Sequence, residues 1–262
     1  MPAVAPAHPG ALAMPDRPRV AVVIPTLNEE EPIGAVIRAI PRNAVDEVIV
    51  VDSASEDRTV ERARDAGARV IVERLRGYGR ACAAGARAAR DCGIIVFLDG
   101  DGSDRPELVP LLLAPILAGT HDFVIGTRTR AEREPGSMNA LQIVAGYGAG
   151  ALTRLLYGVA YTDLCAFRAI RREALDQLGM REMTYGWNLE MQMRAAQAGL
   201  RILEVPVAYR RRLGGASKVS GTVMGTVKAA LRIGLTFVRV ACGRQHRGHS
   251  TEARDRAAEE KS

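Results

Sequence analysis

Two aspartates separated by one glycine end an apolar run, Val96-Phe97-Leu98-Asp99-Gly100-Asp101-Gly102. The run from Ile94 to Leu98 is short, β-branched and aromatic, and glycine punctuates its end, which predicts a buried strand. Alternate side chains of a strand share a face, so Asp99 and Asp101 aim both carboxylates at one point. Gly100 and Gly102 are expected to keep that point free of side-chain bulk. Paired hard oxygen ligands suit Mg2+ or Mn2+, which proteins hold with one or two carboxylates plus substrate phosphates. The plain alternative is an acidic, Gly-rich turn of the kind that often follows a strand. A calcium loop does not fit, because position twelve counted from Asp99 is Pro110, where that loop requires Glu.

The elements that must position these acids alternate strand and helix. Arg19 to Ile24 reads as a buried strand stopped by Pro25, and Asn28 is placed to cap a helix carrying Ile33, Val36, Ile37 and Ile40. Val45 to Val51 is a second strand, ending at Asp52-Ser53. Ser55 or Asp57 can cap the following helix, Arg58 to Ala66. Arg69 to Val72 is a third strand, and Arg76-Gly77-Tyr78-Gly79-Arg80 is a loop opening the helix Ala81 to Arg90. The acid-tipped strand follows, then a helix from near Pro106 and a strand Phe123 to Ile125 ending in Gly126-Thr127-Arg128. This alternation describes an α/β protein with a mostly parallel central sheet flanked by helices, whose ligands sit at the strands' carboxyl ends. Later elements are a small-residue helix (Leu141 to Leu156), a crossing segment with a short strand (Thr162 to Ile170), a short helix (Glu173 to Leu178), a helix (Trp187 to Ala198) and a strand (Arg201 to Val205). Val219 to Val240 is a long helix with one apolar stripe through Val219, Val223, Val227, Leu231, Leu235 and Val238.

Composition narrows the function class. The chain has 262 residues, enough for one sizeable core, with an Ala/Pro-rich stretch to Pro18 and a charged stretch from Gly243, both expected to be disordered. A net charge of +6 favours anionic partners such as nucleotides, phosphates or an acidic lipid surface. Aromatics make up only 4% of the chain, too few for a base-stacking platform, so nucleic acid is not expected as a partner. Cys82, Cys92, Cys165 and Cys242 are scattered and read as small buried thiols in a reducing compartment. The four histidines are not clustered and are assigned no chemistry.

Four stretches, in this order, carry a resemblance: Val23-Ile24-Pro25-Thr26-Leu27-Asn28-Glu29, Val50-Val51-Asp52-Ser53, Asp99-Gly100-Asp101-Gly102 and Gly126-Thr127-Arg128. With them the chain resembles the inverting glycosyltransferases of family 2, most closely their dolichol-phosphate mannose synthase and polyprenyl-phosphate glycosyltransferase branch. The likeness runs from about Val20 to Lys218 and implies the GT-A fold, a nucleotide-sugar donor and Mg2+ or Mn2+ as cofactor. It implies that Pro25, Leu27 and Glu29 line the nucleobase and ribose and that Asp52 holds the base; Ser53 stands where the family often has a second acid. Arg80 would lie near the phosphates under the Gly-rich loop. Asp101 would bind the metal, and Asp99 would share the ion or touch the ribose. Arg128 matches a phosphate-binding arginine, its plain alternative being a surface ion pair. Asp163 would orient the sugar or pair with Arg168. Glu190 would be the base for a hydroxyl acceptor, or simply an exposed helix acid; a phosphate acceptor is already ionised and needs none. Arg212-Leu213-Gly214-Gly215-Ala216-Ser217-Lys218 matches a phosphate-gripping loop, in which Arg212 forks onto phosphate and Ser217 and Lys218 add contacts.

The resulting expectation is a GT-A domain over residues 19–218, followed by an amphipathic helix over 219–242. Its reaction would be sugar transfer to a polyprenyl (lipid) phosphate. The rivals are the same chemistry on a soluble metabolite or another lipid, and a catalytically inert nucleotide-sugar-binding protein. Lys228, Arg232 and Arg239 interrupt the C-terminal helix, which therefore lies on a membrane surface or packs on the body. The expected location is the cytoplasm, or the inner face of the cell membrane through peripheral contact.

Overall fold

The computed structural model describes residues 17–214 and 223–243. Its core is a seven-stranded sheet in the order β3-β2-β1-β4-β6-β5-β7. In chain order the first half runs β1 (Val20–Thr26), α1 (Ile33–Ala39), β2 (Glu47–Asp52), α2 (Thr59–Asp65), β3 (Arg69–Val72), α3 (Tyr78–Ala88) and β4 (Ile94–Phe97). A short 3-10 turn, Pro106–Leu108, leads into α4 (Val109–Leu117) and β5 (Phe123–Thr127). The second half is α5 (Ala140–Tyr157), β6 (Arg168–Arg171), α6 (Arg172–Leu178), α7 (Trp187–Gln197), β7 (Ile202–Pro206) and α8 (Val223–Gly243).

Helical crossovers force parallel pairing, and β1, β2, β3 and β4 pair that way, as do β5 and β7. Only β6 runs against its neighbours, inserted between β4 and β5. The expected mostly parallel α/β sheet is therefore the observed one. The central strands carry Val, Ile and Phe on both faces and are buried except at Glu47, the first residue of β2, because helices cover both sides.

Several local expectations are corrected. Asn28 does not cap α1, which starts at Ile33; it sits in the left-handed region (φ 51°) with its Oδ1 accepting from the Glu56 N–H. A non-glycine residue held there marks a loop over-determined by its surroundings. Helix α3 begins at Tyr78, so Arg80 lies in its first turn. Cys82, Cys92 and Cys165 are buried thiols as expected, whereas Cys242 is exposed. Of the predicted tails, residues 1–16 and 244–262 lie outside the described residues, as do residues 215–222 with Ser217 and Lys218; Arg17, expected to be disordered, is instead held by an ion pair to Asp46 (3.0 Å), and Gly243 ends α8.

Candidate active site

The carboxyl ends of β1, β2, β4 and β5 gather the candidate residues. Beyond β1, Glu29 is buried; its N–H donates to Thr59 Oγ1 (2.8 Å) and its Oε1 accepts from Arg212 Nη2 (2.8 Å). Pro25 is buried within β1 and Leu27 is half-buried just past it. At the end of β2, Asp52 is buried and accepts the Ser55 N–H (2.9 Å) and hydroxyl, while Ser55 Oγ in turn accepts the Asn28 N–H (2.8 Å). The two loops thus form one braced rim.

The loop after β4 folds back on itself. The Asp99 N–H donates to Asp104 Oδ2 (3.0 Å), and Asp101 Oδ1 accepts both the N–H (2.9 Å) and the hydroxyl (2.5 Å) of Ser103. These bonds fix Asp101 and bring a third acid, Asp104, beneath it. Burial, reinforced by the charges of Asp101 and Asp104, pushes Asp99 up to about 8. Burial also pushes Asp104 up, to about 6, against the opposing bond from the Asp99 N–H and with the Asp101 charge adding to the rise. Asp104 went unrecognised in the sequence, where its signal is a third acid five residues after Asp99. The space beside the glycines is not open as expected: Cβ atoms there would lie 2.7 Å from Thr26 Cγ2 at Gly100 and 2.7 Å from Leu213 Cδ1 at Gly102.

Leu213 is there because the segment from Arg210 lies along this loop. The Arg210 N–H donates to Ser103 O (3.1 Å) and the Leu213 N–H to Asp101 O (3.0 Å). Between them Arg212 reaches Asp101 Oδ2 (3.1 Å) as well as Glu29. One guanidinium therefore joins the loops after β1 and β4. Near this point carboxylates outnumber guanidinium groups, and burial suppresses ionisation of two of them. That imbalance fits a divalent cation. Among the described residues no group of three or more His, Cys, Asp or Glu side chains makes a complete metal cage. The donor set is the kind that leaves remaining positions to phosphate oxygens.

Past β5, Arg128 is engaged in the opposite sense. Its N–H and Nε donate to Asp163 Oδ2 (2.9 and 2.8 Å) and its Nη2 to Oδ1 (2.7 Å). Its guanidinium also lies 4.8 Å from the centre of the Tyr209 ring. This is a buried ion pair rather than a surface one, and Asp163 pairs with Arg128, not Arg168. Arg168 is buried and donates to the carbonyls of Asn188 (3.1 Å) and Cys165.

Two further expectations change. The glycines flanking the start of α3 make room for protein: a Cβ would lie 2.4 Å from Met183 O at Gly77 and 2.4 Å from Glu182 O at Gly79, and the Arg80 N–H donates to Met183 O (3.0 Å). The side chain of Arg80 is half-buried, and its Nε has no partner. Glu190 is not an exposed helix acid. It is fully buried, with Oε2 accepting the N–H groups of Arg181 (2.9 Å) and Glu182 (2.6 Å) and Oε1 accepting Arg194 Nε (2.9 Å).

Comparison with known proteins agrees with this geometry. An uncharacterised glycosyltransferase of Mycobacterium tuberculosis is 40% identical over 215 residues, 81% of this chain and 94% of that protein. An undecaprenyl-phosphate mannosyltransferase of Micrococcus luteus is 34% identical over 221 residues, 79% of this chain and 90% of that protein. Among solved structures, glucosyl-3-phosphoglycerate synthase of M. tuberculosis, in complex with Mn2+, UDP-glucose and phosphoglyceric acid, superposes with a TM-score of 0.69 at 26% identity, covering 86% of this chain and 80% of that one. The superposition agrees with the GT-A fold expected from the sequence. Residues 21–179 match the model of the family described as "Glycosyl transferase family 2", and the chain belongs to that family.

Proposed function

We propose that the protein transfers a sugar from a nucleoside-diphosphate sugar to a polyprenyl phosphate in one inverting displacement. The names of relatives support the acceptor class: besides the M. luteus enzyme, a polyprenol monophosphomannose synthase of Mycolicibacterium smegmatis is 32% identical over 222 residues. The observation that carries the reading is the docking of Arg210 to Leu213 along the Asp101 loop, which sets a cationic segment against the acid pair.

The nucleoside would lie on the rim formed by Pro25, Leu27, Glu29 and Asp52, with Arg80 near its phosphates. Asp101, with Asp99, would hold Mg2+ or Mn2+; when bound, such a cation neutralises the leaving diphosphate. Arg212 would turn its fork to a phosphate, and Ser217 and Lys218 would extend that grip. Arg128 keeps Nη1 outside its bonds to Asp163, and that edge serves an acceptor phosphate. Asp163 then acts by orienting Arg128. An ionised phosphate oxygen attacks without help from a base, which agrees with a Glu190 carboxylate already occupied by three N–H donors.

The test is a transfer assay with Mn2+, a panel of nucleotide sugars and undecaprenyl phosphate, comparing wild type with Asp101→Asn. The reading predicts a glycolipid product from wild type and a loss of at least about a hundredfold in the variant, the scale of losing one transition-state charge contact, at a temperature well below the variant's own cooperative melt. Retained turnover would overturn the site. Transfer to phosphoglyceric acid but not to the lipid would overturn the acceptor.

A further inference from the structure

Glu204 is an edge-strand acid turned inward. It lies in β7, the last strand of the sheet, where a charged side chain ordinarily faces water and discourages pairing with another chain. Instead both of its carboxylate oxygens serve one residue. Thr162 donates its N–H to Oε1 (2.8 Å) and its hydroxyl to Oε2 (2.9 Å).

The strand register explains the reach. Glu204 pairs with Ile125 in the parallel β5–β7 ladder, and alternation puts Thr127, two residues further on, on the same face. Thr127 is buried, and its hydroxyl lies 2.8 Å from that of Thr162. A hydroxyl has one proton to give. Thr162 gives its proton to Glu204, so its oxygen accepts from Thr127, and the carboxylate sets the direction of the bond that ties residue 162 to the end of β5. Thr129 Oγ1 adds a bond to Thr162 O (3.3 Å). Residues 127–129 and 162–163 are thus stitched side by side, with the Arg128–Asp163 ion pair between them.

The other contacts of this segment grip its main chain. Gln192 Nε2 donates to Asp163 O (2.8 Å), and α5 packs so closely that a Cβ at Gly146 would lie 3.2 Å from the Asp163 Cα. The side chain of Thr162 is held by Glu204 and Thr127. Its neighbour Asp163 grips the Nε–Nη2 edge of Arg128, and the guanidinium is a rigid plane. Any tilt of Asp163 therefore swings the Nη1 edge of Arg128.

We propose that Glu204 is a positioning residue for sugar transfer: through Thr162 it holds Asp163, and so aims the Nη1 edge of Arg128 at the acceptor phosphate. The role in transfer rests on the acceptor proposed above; the hold on Arg128 does not.

The experiment compares wild type with Glu204→Ala, Glu204→Gln and Thr162→Val, each assayed well below its own melt with Mn2+, the nucleotide-sugar panel and undecaprenyl phosphate. Glutamine offers an oxygen to the Thr162 N–H and an amide N–H to the Thr162 hydroxyl, which then donates to Thr127, so it keeps the links without the charge. Alanine removes both links, and Thr162→Val removes the hydroxyl one. Glu204→Ala and Thr162→Val should raise KM for undecaprenyl phosphate at least about tenfold, the worth of one charge-assisted hydrogen bond, with KM for the nucleotide sugar unchanged. Glu204→Gln should stay near wild type. A glutamine variant as impaired as the alanine one, or a loss that falls equally on both substrates, would overturn the proposal.

A second readout needs no substrate. Hydrogen exchange of the Arg128 Nε–H is followed by NMR in the full chain with isotope-labelled arginine, its signal assigned by its loss in Arg128→Lys. Exchange should be at least about tenfold faster in Glu204→Ala than in wild type, on the same hydrogen-bond scale, and near wild type in Glu204→Gln. Unchanged exchange in Glu204→Ala would overturn the positioning role. Faster exchange in a protein that never glycosylates undecaprenyl phosphate would keep the hold on Arg128 and overturn the acceptor alone.

Discussion

Glu190→Gln separates two roles for one acid. In the folded protein the carboxylate accepts two backbone N–H groups, from Arg181 and Glu182, and the Arg194 Nε. The substitution keeps the volume but removes the charge and leaves one oxygen. If that oxygen keeps the two backbone donors, the new amide faces Arg194 and offers it nothing to accept. Charge-assisted bonds contribute about 1.5–3 kcal/mol and neutral ones about 0.5–1.5, so three weakened or lost contacts sum to about 3 kcal/mol. Glu190→Ala strands the two buried N–H groups outright, which raises the loss to about 3–5 kcal/mol. For a domain of this size each kcal/mol lowers the melting temperature by about 2–4 °C.

The damage should also spread, because the adjacent Glu182 holds α8 through Thr236 Oγ1 (3.1 Å) and Arg239 Nη2 (2.8 Å). The assay is a thermal melt by circular dichroism alongside a transfer assay on the same preparations. A structural brace predicts a melting temperature lower by about 6–12 °C for Gln and turnover near wild type well below the melt. A general base predicts turnover lower by about 10²–10⁴ with the melt unchanged. That second pattern would refute the structural assignment.

Paired glycine substitutions test the packing of α5: Gly150→Ala should destabilise by about 1–3 kcal/mol through overpacking against Tyr161, whereas Gly148→Ala, with nothing within 4 Å of its Cβ, should gain up to about 1 kcal/mol in helix propensity. Denaturant melts of both variants read the two signs. For pH, the hydrogen bonds from Arg201, with its charge and that of Arg171, hold Asp122 below the usual carboxylate range against some burial. A depressed folded-state value means the stabilisation is fully present above the unfolded value near 3.8 and is lost as pH falls through the folded one. Asp122→Asn should therefore melt below wild type at pH 7, and the gap should close as the pH falls below about 4; a gap that stays constant down to pH 2 would sink the assignment.

The parts of the site legible in the sequence are those set by local geometry. Asp99 and Asp101 lie two and four residues past the end of β4, so their two-residue spacing let them be paired from the sequence. Asp52 and Arg128 could be placed at the ends of other strands of the same sheet by the same logic. Glu190 could not, because the donors that consume it come from residues 181–182, folded over the start of α7. Period and position mark Glu190 only as an acid in the first turn of a helix. The partner of Asp163 was equally hidden, since Arg168 is near in sequence while Arg128 arrives from another strand.

Helix α5 shows where reading by period stops. Hydrophobic periodicity finds a face but does not say which way the face points, because the usual rule assumes that large apolar residues seek the core. Here the deciding fact is the width of the gap above 161–163, too narrow for any Cβ at Gly150. Gly146 and Gly150, four apart, were the sequence's clue that backbone and not side chain would meet that face. Once the narrow side is inside, Leu141, Val144, Leu152 and Leu155 must face out. All four are exposed, so the apolar stripe along α5 is a consequence of close packing on its other side.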